Sequence, residues 1–376
     1  MRKGFTTGSA AAAAAKASAY MLFSGKIKDS ITIQTPADIE YQTKIVDIDI
    51  QKDYVSCAVI KDSGDDPDVT NGAKIVAKVI KKSDCGSEEN ENQQDNEQII
   101  ITAGEGIGIV TRPGLDQSVG SAAINSVPRQ MIRNEVMQVL DLFDYKGKVI
   151  VQISVPEGAK LAKSTFNERL GIEGGISIIG TTGIVEPMSM QALKDTIYIE
   201  LKQKVMLGNK TACICPGNYG RDFMLRHYDF DIEQCVKCSN FIGDTIDMIL
   251  ELGFEEMLLV GHIGKLIKVS GGIMNTHSRE ADCRMELLNA ALIKTGVADN
   301  DIYQKVSDSL TTDEALMIID QNGLLKDTMD VVMDKVMFYL NKRAKSKIRI
   351  ECVIYSNEFG VLCKSVDAEK LIAKIR

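Results

Sequence analysis

The chain has 376 residues, more than one comfortable core accommodates, so length alone points to two domains. With 44% hydrophobic residues, 26% charged residues and a formal net charge of −8, it is an acidic globular mixture without the basic stripe of a nucleic-acid binder. No apolar run is long enough to span a bilayer, and nine cysteines, an odd number, argue for reduced thiols in the cytoplasm over a secreted disulfide framework.

The start, Arg2-Lys3 and then an alanine run, superficially resembles a secretion signal. Alanine is a weak residue for such a segment and Lys16 interrupts the run, so the pattern predicts an internal helix over 10–23. Thr7 or Ser9 would cap it and Gly25 would end it. Alternating residues predict strands at 30–35, 41–50 and 54–61. A helix is expected over 71–82, with Asp66 or Asp68 as its cap. Segment 83–98 is acidic and amide-rich and reads as a surface loop. Strands at 99–102, 107–111 and 148–155 and an amphipathic helix over 125–143 complete an α+β domain, 1–160. The rhythm then changes. Apolar strands at 176–180, 211–215, 233–236 and 257–261 alternate with helices at 189–207, 221–227 and 239–252. More helices run to about 343, followed by a strand at 348–355 and a helix at 366–375. This predicts a Rossmann-like α/β/α domain, 161–376, built on a mostly parallel sheet.

Open parallel sheets bind ligands beyond the carboxyl ends of their strands, which directs attention to the turns there. Gly217, Asn218 and Gly220 lie between a strand and a helix, where glycines admit close backbone approach and a helix start favours negative charge. Gly180, Thr181, Thr182 and Gly183 follow another apolar run and offer two hydroxyls. Asp244, near a helix start, is the kind of acid that accepts from a cofactor ribose. Each of these also reads as an ordinary tight turn or a solvated helix residue. His262 directly follows the most apolar strand, and His277 sits in a polar stretch soon after, so either can orient a ligand or hold a proton, or simply be a bonded structural histidine. Arg129 and Arg133, four apart on one helix face beside Asn125, with Lys265 and Lys268, would suit a ligand rich in carboxylates. Singly, each is equally a solvated surface charge. Cys213, Cys215, Cys235 and Cys238 could supply thiolates to zinc, but alternate positions on a covered strand are explained as well by buried structural cysteines, and no protein-bound metal is expected.

The segments TTGSAAAAAAKA, GDDPDVTNGA, GEGIGIVTRPGL, AINSVPRQMI, NERLGIEGGISIIGTTGIVEPMS and GHIGKLIKVSGGIMNTHSREAD occur in one order. Together they resemble the CbiD family of cobalt-precorrin-5B (C1)-methyltransferases, from about Gly4 to at least Asp282. The chain departs from the family pattern at Ser9-Ala10, Asn71, Ala123 and Ser126, which argues against Asn71 as an indispensable acid or base. The resemblance implies methyl transfer from S-adenosylmethionine to ring carbon 1 of a cobalt-bearing tetrapyrrole in the anaerobic route to cobalamin, with the cobalt belonging to the substrate. It implies the strand-end turns and Asp244 as the cofactor site, and the Arg/Lys set with Asn125 as the grip on the substrate's acidic arms. Self-association and transient contact with other enzymes of the route are compatible with it; nucleic acid and membrane are not expected partners. The alternative from a different class is a corrinoid carrier that binds the macrocycle but not S-adenosylmethionine. A nucleotide-binding enzyme using the same turns is disfavoured, because no Walker-type Gly-x4-Gly-Lys-Ser/Thr run exists.

Overall fold

A computed structural model describes residues 1–82, 97–165 and 167–376. The chain divides into two compact units, Met1–Ser189 and Met190–Arg376. The acidic surface loop expected at 83–98 falls, for 83–96, outside the described residues.

The first unit contains β1 (Gly4–Phe5), α1 (Thr7–Ser24), β2 (Ser30–Gln34), β3 (Glu40–Lys44), β4 (Val46–Ile50), β5 (Tyr54–Ile60), β6 (Lys74–Lys81), β7 (Ile99–Ala103), β8 (Ile109–Val110), α2 (Ser126–Leu142), β9 (Val149–Ser154), α3 (Gly158–Ala162), β10 (Ile172–Glu173) and β11 (Ile184–Val185). Its main sheet runs β4-β5-β6-β9-β7, antiparallel except where β7 and β9 pair in parallel. Helix α1 starts at the Thr6 hydroxyl, which accepts from the Ser9 amide at 3.2 Å, and ends at Gly25 with φ +67°. Ala10 to Ala15 are all fully buried, because the absence of longer side chains lets α1 lie directly against β5, β6 and α2. Inward residues Val55, Cys57 and Val59, then Ile75, Ala77 and Val79, then Val149, Val151 and Ile153 supply the sheet's side of that core.

Two expectations change here. Residues 74–81 form a strand, not a helix, since β6 is held on both sides by full ladders to β5 and β9. With no helix to cap, Asp68 instead pairs with the buried Lys61 and accepts from the Thr70 amide at 2.8 Å. The boundary also lies later than 160. Residues 161–189 belong to the first unit because β10 pairs with β8 and β11 with β1.

The second unit contains α4 (Met190–Met206), β12 (Thr211–Cys215), α5 (Asn218–Tyr228), β13 (Cys235–Lys237), α6 (Ile242–Glu251), β14 (Glu256–His262), α7 (Ile263–Ser270), α8 (Arg284–Lys294), α9 (Asn300–Asp308), α10 (Thr312–Gln321), α11 (Leu325–Arg343), β15 (Arg349–Ser356), β16 (Gly360–Lys364) and α12 (Ala368–Ile375). Its sheet runs β13-β12-β14-β15-β16, parallel but for the antiparallel edge strand β16. This is the α/β architecture expected from the alternating rhythm. Both faces are covered. Met257 and Leu259 of β14 pack with α6, α7 and α11, while Leu258 and Val260 pack with α5 and α12. Each such fully buried side chain contributes about 1.5–3 kcal/mol. Among the described residues no helix is long and apolar enough to cross a membrane.

Candidate active site

Strand order decides where a ligand fits in the second unit. Counted along the chain, its strands lie in the order two, one, three, four, five, so the direction of winding reverses between β12 and β14. Beyond the carboxyl ends of strands flanking such a reversal, the following helices diverge to opposite faces and leave a crevice. Here α5 packs on one face and α7 on the other. The residues that leave β12 and β14 at this edge are Pro216-Gly217-Asn218 and His262.

Gly217 has φ 133° and ψ −179°, a region essentially restricted to glycine, and a Cβ placed there would meet none of the described atoms within 4 Å. Asn218 opens α5. Gly220 has a different task. A Cβ on it would lie 3.0 Å from the Cys215 Cβ and the Val260 carbonyl oxygen, so its hydrogen lets α5 sit down on the sheet. Across the reversal, Lys265 of α7 donates from Nζ to the Pro216 carbonyl at 2.7 Å and so ties the two strand ends together. Burial pushes its ammonium below the usual lysine value.

His262 caps α7. Its Nδ1 accepts from the Gly264 amide at 3.1 Å. That lone pair is therefore in use, and the ring proton of the neutral imidazole resides on Nε2. Nε2 is buried and has no hydrogen-bond partner among the described residues. Burial holds the ring below the ordinary imidazole value, opposed by the nearby Asp313 carboxylate, so at neutral pH His262 is an uncharged N–H donor. The ring of Tyr355 packs at 85° to it, 5.5 Å between centroids. Asp313 is anchored by the Ser356 hydroxyl, which donates to it at 2.6 Å. Tyr355, Ser356 and Asp313 were not picked out by sequence reasoning. The first two end β15, the next strand along this edge, and that strand's apolar run was the available signal.

The remaining sequence candidates have other partners. Asp244, in the first turn of α6, is paired at 2.6 Å with Lys194. Lys268 is buried and donates to the Thr276 and Ala281 carbonyls at 3.3 and 2.8 Å, pinning the loop that carries His277. His277 is exposed and accepts at Nδ1 from the Arg279 amide.

Asn125, Arg129, Arg133 and Gly180 to Gly183 lie in the first unit. The Gly180–Gly183 turn is not a strand-to-helix turn, because Ile176 and Ile178 make only isolated bridges to Ile107 and Ile124. Its carbonyls bind the start of α1 and the turn between β2 and β3 instead. Gly183 O accepts from the Thr6 amide at 3.0 Å and the Ser9 hydroxyl at 2.7 Å, and Thr182 O from the Ala37 amide at 3.1 Å. Asn125 flanks the start of α2 and bonds from its amide to Ile178 O at 3.0 Å. Arg129, only 8% exposed, donates to the Ile124 carbonyl at 2.8 Å and the Ile101 carbonyl at 3.4 Å. Arg133 pairs with Glu97, and its Nε is buried without a partner among the described residues. The structure thus brings together Gly217, Asn218, Gly220, His262 and Lys265, and gives Arg129 and Lys268 internal work.

A family model described as CbiD matches residues 1–187, close to the end of the first unit, and one described as CbiD, C-terminal domain, matches 275–366. The chain is 46% identical over 358 residues to the cobalt-precorrin-5B C(1)-methyltransferase of Ruminiclostridium cellulolyticum, covering 95% of this chain and 89% of that protein. It is 39% identical over 395 residues to the protein of the same name from Clostridioides difficile, covering 99% and 96%. A solved structure of cobalamin biosynthesis protein (cbiD) from Archaeoglobus fulgidus is 27% identical, with a TM-score of 0.39 over 75% of this chain and 83% of that one. The chain belongs to the CbiD family.

Proposed function

We propose that the chain transfers the methyl group of S-adenosylmethionine to carbon 1 of cobalt-precorrin-5B, giving cobalt-precorrin-6A on the anaerobic route to cobalamin. The names of the relatives support the substrate and the carbon. The observation that carries the cofactor site is the orphaned Nε2–H of His262 beside the Gly217 turn, at the point where the sheet's winding reverses. A buried donor without a partner is costly unless a ligand supplies the acceptor.

The sulfonium methyl is already electrophilic and the electron-rich macrocycle is the nucleophile, so the chain's task is alignment and exclusion of water. In this reading Gly217 and Asn218 present backbone to the cofactor, and Gly220 keeps α5 close. Lys265 fixes the turn by its bond to Pro216 and retains two ammonium hydrogens for an acidic group. Asp244 accepts from the ribose in exchange for part of its pairing with Lys194. His262 orients the ligand as a donor. In the first unit, the candidate groups for the substrate's acetate and propionate arms are the Arg133 guanidinium and, at the start of the same helix, Asn125.

Calorimetry with S-adenosylhomocysteine, followed by transfer of labelled methyl from S-adenosylmethionine to cobalt-precorrin-5B, tests the proposal. One bound equivalent, weakened by His262→Ala, together with labelled product, is expected. Tight macrocycle binding with no response to either sulfur compound would leave a carrier in place of an enzyme.

A further inference from the structure

On the α5 and α12 side of the second unit's sheet, beneath the Gly217 turn, three thiols gather. Cys213 and Cys215 alternate along β12 and Cys235 stands on β13, all buried, with their sulfurs within 4.8 Å of one another. Cys213 and Cys235 are direct partners in the parallel ladder. Adjacent strands lie about 4.8 Å apart, inside the Cα separation a disulfide bridges. Their sulfurs are 3.0 Å apart. Two thiolates on one zinc, each about 2.3 Å from the metal, would stand at roughly 3.8 Å in a tetrahedral site. The pair thus stands closer together than two ligands of one zinc would, and about 1 Å from bonding distance. A cavity of about 350 Å³ at the amino edge of the sheet reaches Cys213, with Gln234, Lys210, Lys374 and Arg376 among its lining residues. The geometry points to Cys213 and Cys235 as a dithiol that closes a disulfide on reaction with a low-molecular-weight disulfide admitted through this cavity.

The chemistry balances. Hydrogen bonds from Cys213 and Cys215, reinforced by Arg221 and Lys204, hold Cys235 as the thiolate, its pKa lowered to about 5. Cys213 keeps its proton, raised chiefly by its bond to Cys235 and by burial, which outweigh the opposing effect of Cys215. As the Cys213 sulfur, which lines the cavity, attacks the disulfide RSSR, the Cys235 thiolate takes its proton across the short contact as general base. This forms Cys213–S–SR and releases RS⁻. The RS⁻ takes the proton from Cys235 and leaves as RSH. Cys235 then attacks the Cys213 sulfur, forming the internal disulfide and releasing a second RS⁻. Two cysteines are oxidised and one RSSR is reduced. The product ties β13, a three-residue strand at the sheet's edge whose one ladder is to β12, to its neighbour.

The test treats the intact chain with oxidised glutathione, traps the remaining thiols with an alkylating agent and maps peptides by mass spectrometry. Expected are a Cys213–Cys235 cross-link, a chain lighter by two hydrogen atoms and a raised thermal midpoint. Cys213→Ser and Cys235→Ser, which remove the attacking sulfur and its proton acceptor in turn, should each abolish the cross-link, and Cys215→Ser should still cross-link. Oxidation confined to the partly exposed Cys283, with all three clustered thiols alkylated once the chain is unfolded, overturns the inference. So does a stoichiometric metal in the purified chain that is lost when the cluster is mutated. The wild-type map decides the matter even where a serine variant does not fold.

Discussion

Gly217→Ala is the sharpest probe of the proposed site, because the structure separates its two possible effects. An added Cβ clashes with nothing among the described residues within 4 Å, so the whole cost is conformational. The position's φ of 133° and ψ of −179° lie where an alanine is strained by about 1–3 kcal/mol. Either the free chain carries that strain or it escapes by turning the peptide, which misaligns the Gly217 amide, bonded to Cys215 O at 2.8 Å, and the Pro216 carbonyl that Lys265 holds. If the turn relaxes and the ligand requires the glycine geometry, the strain reappears on binding. Affinity for S-adenosylhomocysteine then falls about 5–150-fold. If the turn does not relax, the same energy is lost from unfolding stability while affinity holds. Urea unfolding and calorimetry on one preparation partition the two, and their sum should recover about 1–3 kcal/mol. Gly217→Val should match alanine in stability and fall further in affinity. An alanine variant unchanged in both measurements would refute the reasoning, since the backbone would not need glycine and the ligand would not need the turn.

Two other outcomes follow from groups whose sequence reading the structure revises or refines. Arg129→Met orphans the Ile124 and Ile101 carbonyls and should cost about 2–4 kcal/mol in urea unfolding, with little change in the Michaelis constant for the tetrapyrrole; the opposite pattern would return Arg129 to the substrate. With only three histidines, long-range proton–nitrogen correlation spectra should assign His262 as the Nε2–H tautomer titrating below the ordinary 6.5, and Asp313→Asn should lower it further. Because the folded chain then binds fewer protons than the unfolded one, this group's contribution to stability is whole above about pH 6.5 and drains as pH falls toward the folded value. An imidazolium at pH 6.5 would refute the donor assignment.

What could be read from the sequence was local. Helix α1 was legible from its small residues and Gly25, although the capping hydroxyl is that of Thr6 and not of Thr7 or Ser9, and β14 from the apolar run Met257 to Gly261 that precedes His262. Residues 74–81 were not. Alanine and lysine are good helix formers, and the alternation of Ile75, Ala77 and Val79 gains meaning only from the strands on either side. The run at 176–180 failed for a related reason. A short apolar segment followed by a Gly-Thr-Thr-Gly turn looks the same whether its ladder partners are parallel strands or, as here, isolated bridges beside the start of α1. Spacing set Arg129 and Arg133 on one helix face, but it could not say that the face tilts Arg129 inward to 8% exposure. Asp313 meets Ser356 across 43 residues, a juxtaposition that no local pattern contains.

The tautomer of His262 also constrains what the proposed site can do. With its Nδ1 lone pair engaged by Gly264, the ring has no free base at neutral pH and offers a single proton from Nε2. A sulfonium is a cation and cannot accept that proton, so Nε2–H must meet an oxygen or nitrogen elsewhere in the bound pair: the amino-acid carboxylate or ribose of the cofactor, or an acidic arm of the macrocycle. Lys265, half-buried, spends one ammonium hydrogen on the Pro216 carbonyl and has two left to donate. In the proposed reaction both residues would position rather than abstract. An edge furnished this way suits a reaction whose electrophile is already activated and whose nucleophile is already electron-rich, and it suits poorly one that needs a general base.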